Sequence, residues 1–166
     1  LRSRFRELVS RSYVITPNLT EALLLLYGKE EMEKKWKVLE TMPEAERLEK
    51  IQEIGQRLVL EFSLSAVVIT GVNYRENSQT PKMGNLVLEK EKVSWVFAEK
   101  SGGSYSGTGD LFASVLSAGL VKGYSMETCA HMAVEFISTS IRDAVSEGTD
   151  RNDGVCFEAH LGMLLS

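Results

Sequence analysis

The run Ala66-Val67-Val68-Ile69-Thr70 stays apolar without alternation up to its last residue and is closed by Gly71. A short unbroken apolar run bounded by a turn signal predicts a strand buried on both faces, as in a parallel sheet. The sequence around it supplies the rest of such a sheet. A helical pattern opening at Thr41 precedes it, with Pro43 in the first turn and Glu44 three residues after the capping candidate. Leu48, Ile51, Leu58 and Phe62, with Ile54 beside them, give that helix one apolar face. Further back, residues 19–27 have high helix propensity and end at Gly28, a residue suited to a left-handed C′ position. Before them comes Tyr13-Val14-Ile15-Thr16, a β-branched and aromatic run stopped by Pro17, and Phe5 to Val9 reads as the tail of another helix. After Gly71, residues 85–89 and 92–98 predict two strands of an antiparallel hairpin on the sheet edge. Two long helical patterns follow, at 108–122 and 126–145, the second with Ala130, Val134, Ile137 and Ile141 on one side, and a last short helix begins near Phe157. This order predicts an α/β fold, a three-layer sandwich with a mainly parallel central sheet plus an edge hairpin. Ligands of such sheets gather at the carboxyl ends of the strands, which directs attention to the loops after Thr16, Thr70 and Ala98.

Composition narrows the class. A chain of 166 residues with 43% hydrophobic and 25% charged residues has the balance and the length of one globular domain, spanning 1–166. Its formal charge of -4 comes from interspersed acids and bases, which speaks against a nucleic-acid surface or a polybasic membrane patch. Small molecules or other subunits are the expected partners. Cys129 and Cys156 stand far apart with no nearby Cys or helical His partner, so a zinc knuckle, a redox pair and a disulfide scaffold are not expected. Residues 22–27 form the longest apolar stretch, too short to span a bilayer, and the basic start at 1–6 lacks the apolar core of a signal peptide, which leaves cytoplasmic residence as the default expectation.

The chemistry is concentrated in Ser101-Gly-Gly-Ser-Tyr-Ser-Gly-Thr-Gly-Asp110, which runs from the hairpin straight into the apolar helix starting Leu111-Phe112-Ala113. A glycine-rich turn feeding a helix presents unpaired backbone N–H groups, and the helix dipole adds positive potential there, so the segment is a candidate anion site. Glycines 107 and 109 let the backbone approach a cluster of oxygens, and a phosphoryl group in a loose transition state needs such fixed donors. Asp110, in the first turn, is placed to take a proton from an attacking hydroxyl. That hydroxyl becomes acidic late, as its bond to phosphorus forms, so little activation of the carboxylate is required. An ordinary glycine turn with an Asp at a helix start has the same local pattern. No P-loop is present, since Gly-Lys-Ser/Thr is missing, and Phe112 stands where a dinucleotide fingerprint needs its third glycine.

Ser104-Tyr-Ser-Gly-Thr-Gly-Asp-Leu-Phe-Ala-Ser114 resembles the Gly-Thr-Gly-Asp signature of ribokinase-like kinases in its pyridoxal/pyridoxamine kinase form. A second segment, Ile15-Thr-Pro-Asn-Leu-Thr-Glu-Ala22, is similar to the Thr-Pro-Asn-x-x-Glu motif of the same kinases, and a third, Val67-Val-Ile-Thr-Gly71, resembles the strand whose end meets the nucleotide; the three occur in the family's order. The C-terminal stretch 153–163 also looks like the end of these kinases. The resemblance implies a ribokinase-like fold and ATP-dependent phosphorylation of the 5′-hydroxymethyl group of a B6 vitamer, pyridoxal, pyridoxamine or pyridoxine. It implies ATP and Mg²⁺ as cofactors, admits a monovalent cation beside them, and carries with it a homodimer. Hydroxymethylpyrimidine kinases share similar motifs and form the alternative, as does a non-catalytic ATP-binding module.

Carried over residue by residue, Asp110 is the base and Gly107, Thr108 and Gly109 with it form the anion hole. Thr70, Gly71 and Ser101, together with Gly107, Thr108 and Gly109, face the nucleotide, and Asn18 and Glu21 organise Mg²⁺; Tyr105 is close enough in sequence to join them, with a packing role as its alternative. Asn18 followed three residues later by Glu21 is also a capping box, and both roles hold together if Asn18 caps while Glu21 faces the metal. Lys100 lies close enough in sequence to contact phosphate or substrate; His131 and His160 lack ligand spacing. The resemblance covers the C-terminal, ATP-binding and catalytic part of the family's fold, from about Phe5 to the end. A solitary chain of this kind is expected to pair its exposed sheet edge with another chain.

Overall fold

The computed structural model describes residues 2–74 and 81–165. In chain order the described elements are α1 (Arg2–Val9), β1 (Val14–Ile15), α2 (Leu19–Tyr27), α3 (Lys29–Thr41), α4 (Glu44–Phe62), β2 (Ala66–Tyr74), β3 (Lys82–Glu89), β4 (Lys92–Glu99), α5 (Thr108–Val121), α6 (Met126–Glu147) and a closing 3₁₀ helix, Glu158–Leu164.

The four strands form one sheet in the order β1-β2-β3-β4. β1 and β2 run parallel, Val14 opposite Ala66 and Ile15 opposite Val67. The expectation of a mainly parallel sheet is corrected here. Only Lys90 and Glu91 separate β3 from β4, and Lys90 takes the positive φ of 55° that the primed hairpin turns require at their first central residue. Residues 75–81 alone link β2 to β3. A parallel crossover needs about a dozen residues or more, so both of these neighbours are antiparallel and the sheet is mixed. The apolar run misled because a strand buried on both faces has the same composition whichever way its neighbours point.

A second correction concerns the first helices. Thr41 ends α3 rather than opening a helix, and Pro43 is the N-cap residue of α4. Gly28 has the expected positive φ (79°), but with an extended ψ of 175° it joins two helices, closing α2 and preceding α3.

The chain divides into two compact units, Leu1–Asn77 with Gly84–Trp95, and Ser78–Met83 with Val96–Ser166. In the first, Leu23 of α2, Ile51 and Leu58 of α4, Val67 and Ile69 of β2, and Leu86 and Leu88 of β3 are wholly shielded and belong to one apolar core. Gly55 is what lets α4 approach the sheet: a methyl there would run into Leu88 Cδ1 and lie 3.3 Å from Leu86 Cδ2. In the second unit α5 and α6 pack together. Gly119 of α5 makes room for the Cys129 sulfur of α6, which a Cβ at that glycine would meet at 2.6 Å. A smaller cluster joins buried Tyr105, Ala144 and Val155, with Leu111, Ile141, Cys156 and Phe157 packed against it.

Candidate functional site

In the first unit, four of the residues singled out from the sequence come together where β1 leads into α2, beside the middle of β2. Asn18 is the N-cap of α2, with extended backbone (φ -72°, ψ 170°). Its Oδ1 accepts from the Glu21 N–H at 2.9 Å, and Glu21 Oε2 accepts from the Asn18 N–H at 2.9 Å, a complete capping box. Both side chains are exposed. Thr70, at the end of the apolar stretch of β2, forms an isolated parallel bridge with Asn18, and its N–H donates to the Pro17 carbonyl at 2.9 Å. The next residue, Gly71, has φ 70° and open space where a side chain would stand.

Two residues that the sequence reading passed over fix this corner. Buried Asn85 of β3 accepts from the Gly71 N–H through Oδ1 at 3.3 Å. Arg47 of α4, 5% exposed, pairs with Glu44 at 2.6 Å and donates to the Asn73 carbonyl just beyond Gly71. Each had a faint signal: an amide inside an apolar strand, and an Arg three residues after a Glu on a helix.

The donor set at Asn18 and Glu21 suits Mg²⁺. That ion takes oxygen ligands, keeps several waters, and is held by one or two carboxylates plus substrate phosphates rather than by a protein cage. Glu21 commits Oε2 to the cap and has a second carboxylate oxygen beyond it. No group of three or more His, Cys, Asp or Glu side chains with metal-binding geometry occurs among the described residues.

The remaining candidates belong to the second unit. Gly107 is the N-cap of α5 in left-handed conformation (φ 80°, ψ -7°) and makes no side-chain cap bond. The first helical bond is Leu111 N–H to the Gly107 carbonyl at 3.0 Å, so the N–H groups of Thr108, Gly109 and Asp110 precede the intrahelical ladder. Gly107, Gly109 and Asp110 are exposed, and side chains built at either glycine would meet nothing within 4 Å. The space at the Cβ positions of these two glycines is therefore open. Thr108 donates through Oγ1 to the Tyr105 carbonyl at 3.1 Å, pinning the turn. Ser101 is half-buried, while Tyr105 is 7% exposed with its ring in the cluster around Ala144. Lys100 is half-buried and its N–H donates to the Pro81 carbonyl at 2.8 Å. Of the two histidines, His131 is exposed and His160 bonds Asp143 through Nε2 at 2.8 Å.

The family described as phosphomethylpyrimidine kinase matches residues 1–154. The chain belongs to the phosphomethylpyrimidine kinase family. Solved structures agree with a ribokinase-like fold. A Bacteroides thetaiotaomicron protein assigned as a phosphomethylpyrimidine kinase is 25% identical with a TM-score of 0.80, over 99% of this chain and 52% of its own. Pyridoxal kinase from Lactobacillus plantarum is 24% identical, with a TM-score of 0.73 over 99% of this chain and 53% of its own. Plasmodium falciparum PdxK, solved with AMP-PNP and PL, is 18% identical with a TM-score of 0.69 over 99% and 50%. The chain thus spans about half the length of the solved structures it matches. No curated protein sequence matches it.

Proposed function

We propose that this chain is the ATP-binding and catalytic portion of a ribokinase-like kinase that phosphorylates the hydroxymethyl group of a small heteroaromatic alcohol, pyridoxal or a B6 vitamer related to it. The observation that carries the reading is the exposed, uncapped glycine turn Gly107-Thr108-Gly109-Asp110 at the start of α5, with open space beside both glycines. The amides at Thr108, Gly109 and Asp110 donate to oxygens of the transferring phosphoryl group, aided by the helix dipole. The substrate hydroxyl oxygen bonds to the γ-phosphorus, the bond from phosphorus to the bridging oxygen breaks with ADP leaving, and the hydroxyl proton passes to the Asp110 carboxylate. Mg²⁺, when bound, neutralises phosphate charge; Asn18 and Glu21 are the residues that hold it. Thr70, Gly71 and Ser101 are assigned to the nucleotide, whereas Tyr105, its ring buried in the cluster around Ala144, is left to packing. AMP-PNP in the Plasmodium relative supports ATP as the donor.

A pyrimidine substrate is supported as well, because the description of the matching family names a phosphomethylpyrimidine. Product formation from Mg-ATP with pyridoxal and with hydroxymethylpyrimidine, measured side by side, separates the two. Asp110→Asn is expected to lower kcat about 10²- to 10⁴-fold while Mg-ATP binding by calorimetry is retained. Near-normal turnover in that variant would remove Asp110 from the role of base. Mg-ATP binding by the wild-type chain with no product from either alcohol would instead point to a nucleotide-binding module.

A further inference from the structure

A residue outside every motif packs against the glycine-rich loop. Gly103 has no positive φ, yet the space its side chain would fill is taken by the Arg151 guanidinium, with both terminal nitrogens 2.5 Å from a Cβ built there. Main-chain contacts join the same two segments. The Ser106 N–H donates to the Arg151 carbonyl at 2.9 Å, and a Cβ built on Gly154, at φ 91°, would lie 3.5 Å from the Ser106 carbonyl. The turn carrying Arg151 is itself fixed: the Asn152 N–H donates to Asp150 Oδ1 at 2.8 Å and the Asp153 N–H to the Asp150 carbonyl at 3.0 Å. Beside it, Thr149 N–H donates to the Ala144 carbonyl at 2.9 Å, anchoring the turn to the end of α6. Neighbouring Gly102, at φ 65°, is packed where a Cβ would strike Val145 Cγ2 at 2.6 Å.

We propose that Arg151 is a positioning residue for the loop 101–106, its planar guanidinium lying on Gly103 and its carbonyl on Ser106, so that the loop is already ordered when nucleotide arrives. The assignment of that loop to nucleotide rests on the reading given under the proposed function. A loop ordered in advance does not lose its freedom on binding, and that saving appears as affinity. Lysine carries the same charge but no flat, delocalised surface to lie on a glycine, so it does not replace arginine in this role.

The test uses the intact chain with Arg151→Ala, Arg151→Lys, Gly103→Ala and the double variant Arg151→Ala/Gly103→Ala. Amide hydrogen exchange over residues 101–106 reads the loop directly, and calorimetry with Mg-ATP reads its consequence. Arg151→Ala and Gly103→Ala are each expected to speed exchange there and to raise the Mg-ATP Kd about tenfold, roughly the effect of ordering one loop on binding. The double variant should be no worse than either single one, because both remove one contact. Arg151→Lys should behave like Arg151→Ala. Exchange unchanged in Arg151→Ala overturns the proposal, and so does full affinity in Arg151→Lys, which would make the residue a charge rather than a brace. If the wild-type chain fails to bind Mg-ATP while exchange still accelerates in Arg151→Ala, the brace stands and the nucleotide reading falls.

Discussion

Cys156 shows how a single side chain takes its chemistry from its neighbours. The Thr149 hydroxyl, 3.6 Å from the sulfur, favours the thiolate, but donation of the S–H to Glu147 Oε2 at 3.2 Å, desolvation, and the charges of Glu147 and Asp143 outweigh it and hold the thiol above its ordinary range. The sign follows directly. A raised pKa leaves less thiolate at pH 8 than a free cysteine has, so Cys156 should alkylate slowly despite its partial exposure. Glu147→Gln removes a charge and brings the pKa down. Iodoacetamide labelling of Cys156 at pH 8 is then expected to quicken roughly threefold, and an unchanged rate would deny the carboxylate its part. Other residue-level features were open to reading in advance. Gly107 and Asp110 declared themselves because a glycine turn ahead of an apolar helix is a local signal, and Asn18 with Glu21 because the capping box is one too. Arg151 gave no such signal: its partner Gly103 is remote in the chain, and only folding brings the two together.

Among the elements, those with a strong apolar period were legible and those without it were not. The helices α5 and α6 match their predicted ranges within a few residues, as does the hairpin of β3 and β4. The charged segment Lys29–Thr41 hid α3, since only Leu39 on it is buried and its stripe is completed by half-buried Met32 and Trp36. The direction of β2 against β3 was illegible for a different reason, because one strand's composition does not encode how its neighbours run. At Gly55, packing and propensity oppose one another. Alanine favours a helix by about 1 kcal/mol over glycine, whereas an extra methyl in a filled core costs about 1–3 kcal/mol. With Leu88, Leu86 and Ile69 already against that position, packing wins. Gly55→Ala is expected to lower stability by about 1 kcal/mol in urea unfolding followed by tryptophan fluorescence, since both Trp36 and Trp95 pack on this core. A higher midpoint would show that Leu88 yields at no cost.

For the molecule as a whole, the sheet order leaves β1 outermost, two residues long, with Tyr13 exposed just before it. Unpaired edge groups are a template for another strand, although a short edge limits the attraction. Sedimentation is expected to show reversible, concentration-dependent self-association, and Tyr13→Lys should suppress it. A monomer at every concentration would mean that this edge stays unused. No helix among the described residues is long and apolar enough to cross a membrane.

The close approach of Gly119 to the Cys129 sulfur has a practical outcome. That thiol is fully shielded, and the helix backbone itself forms part of its cover. A reagent in solution reaches it only when α5 and α6 separate, so the kinetics of its capture record how often this helix pair breathes. The second unit carries, in one native atom, a gauge of its own opening that needs no added label.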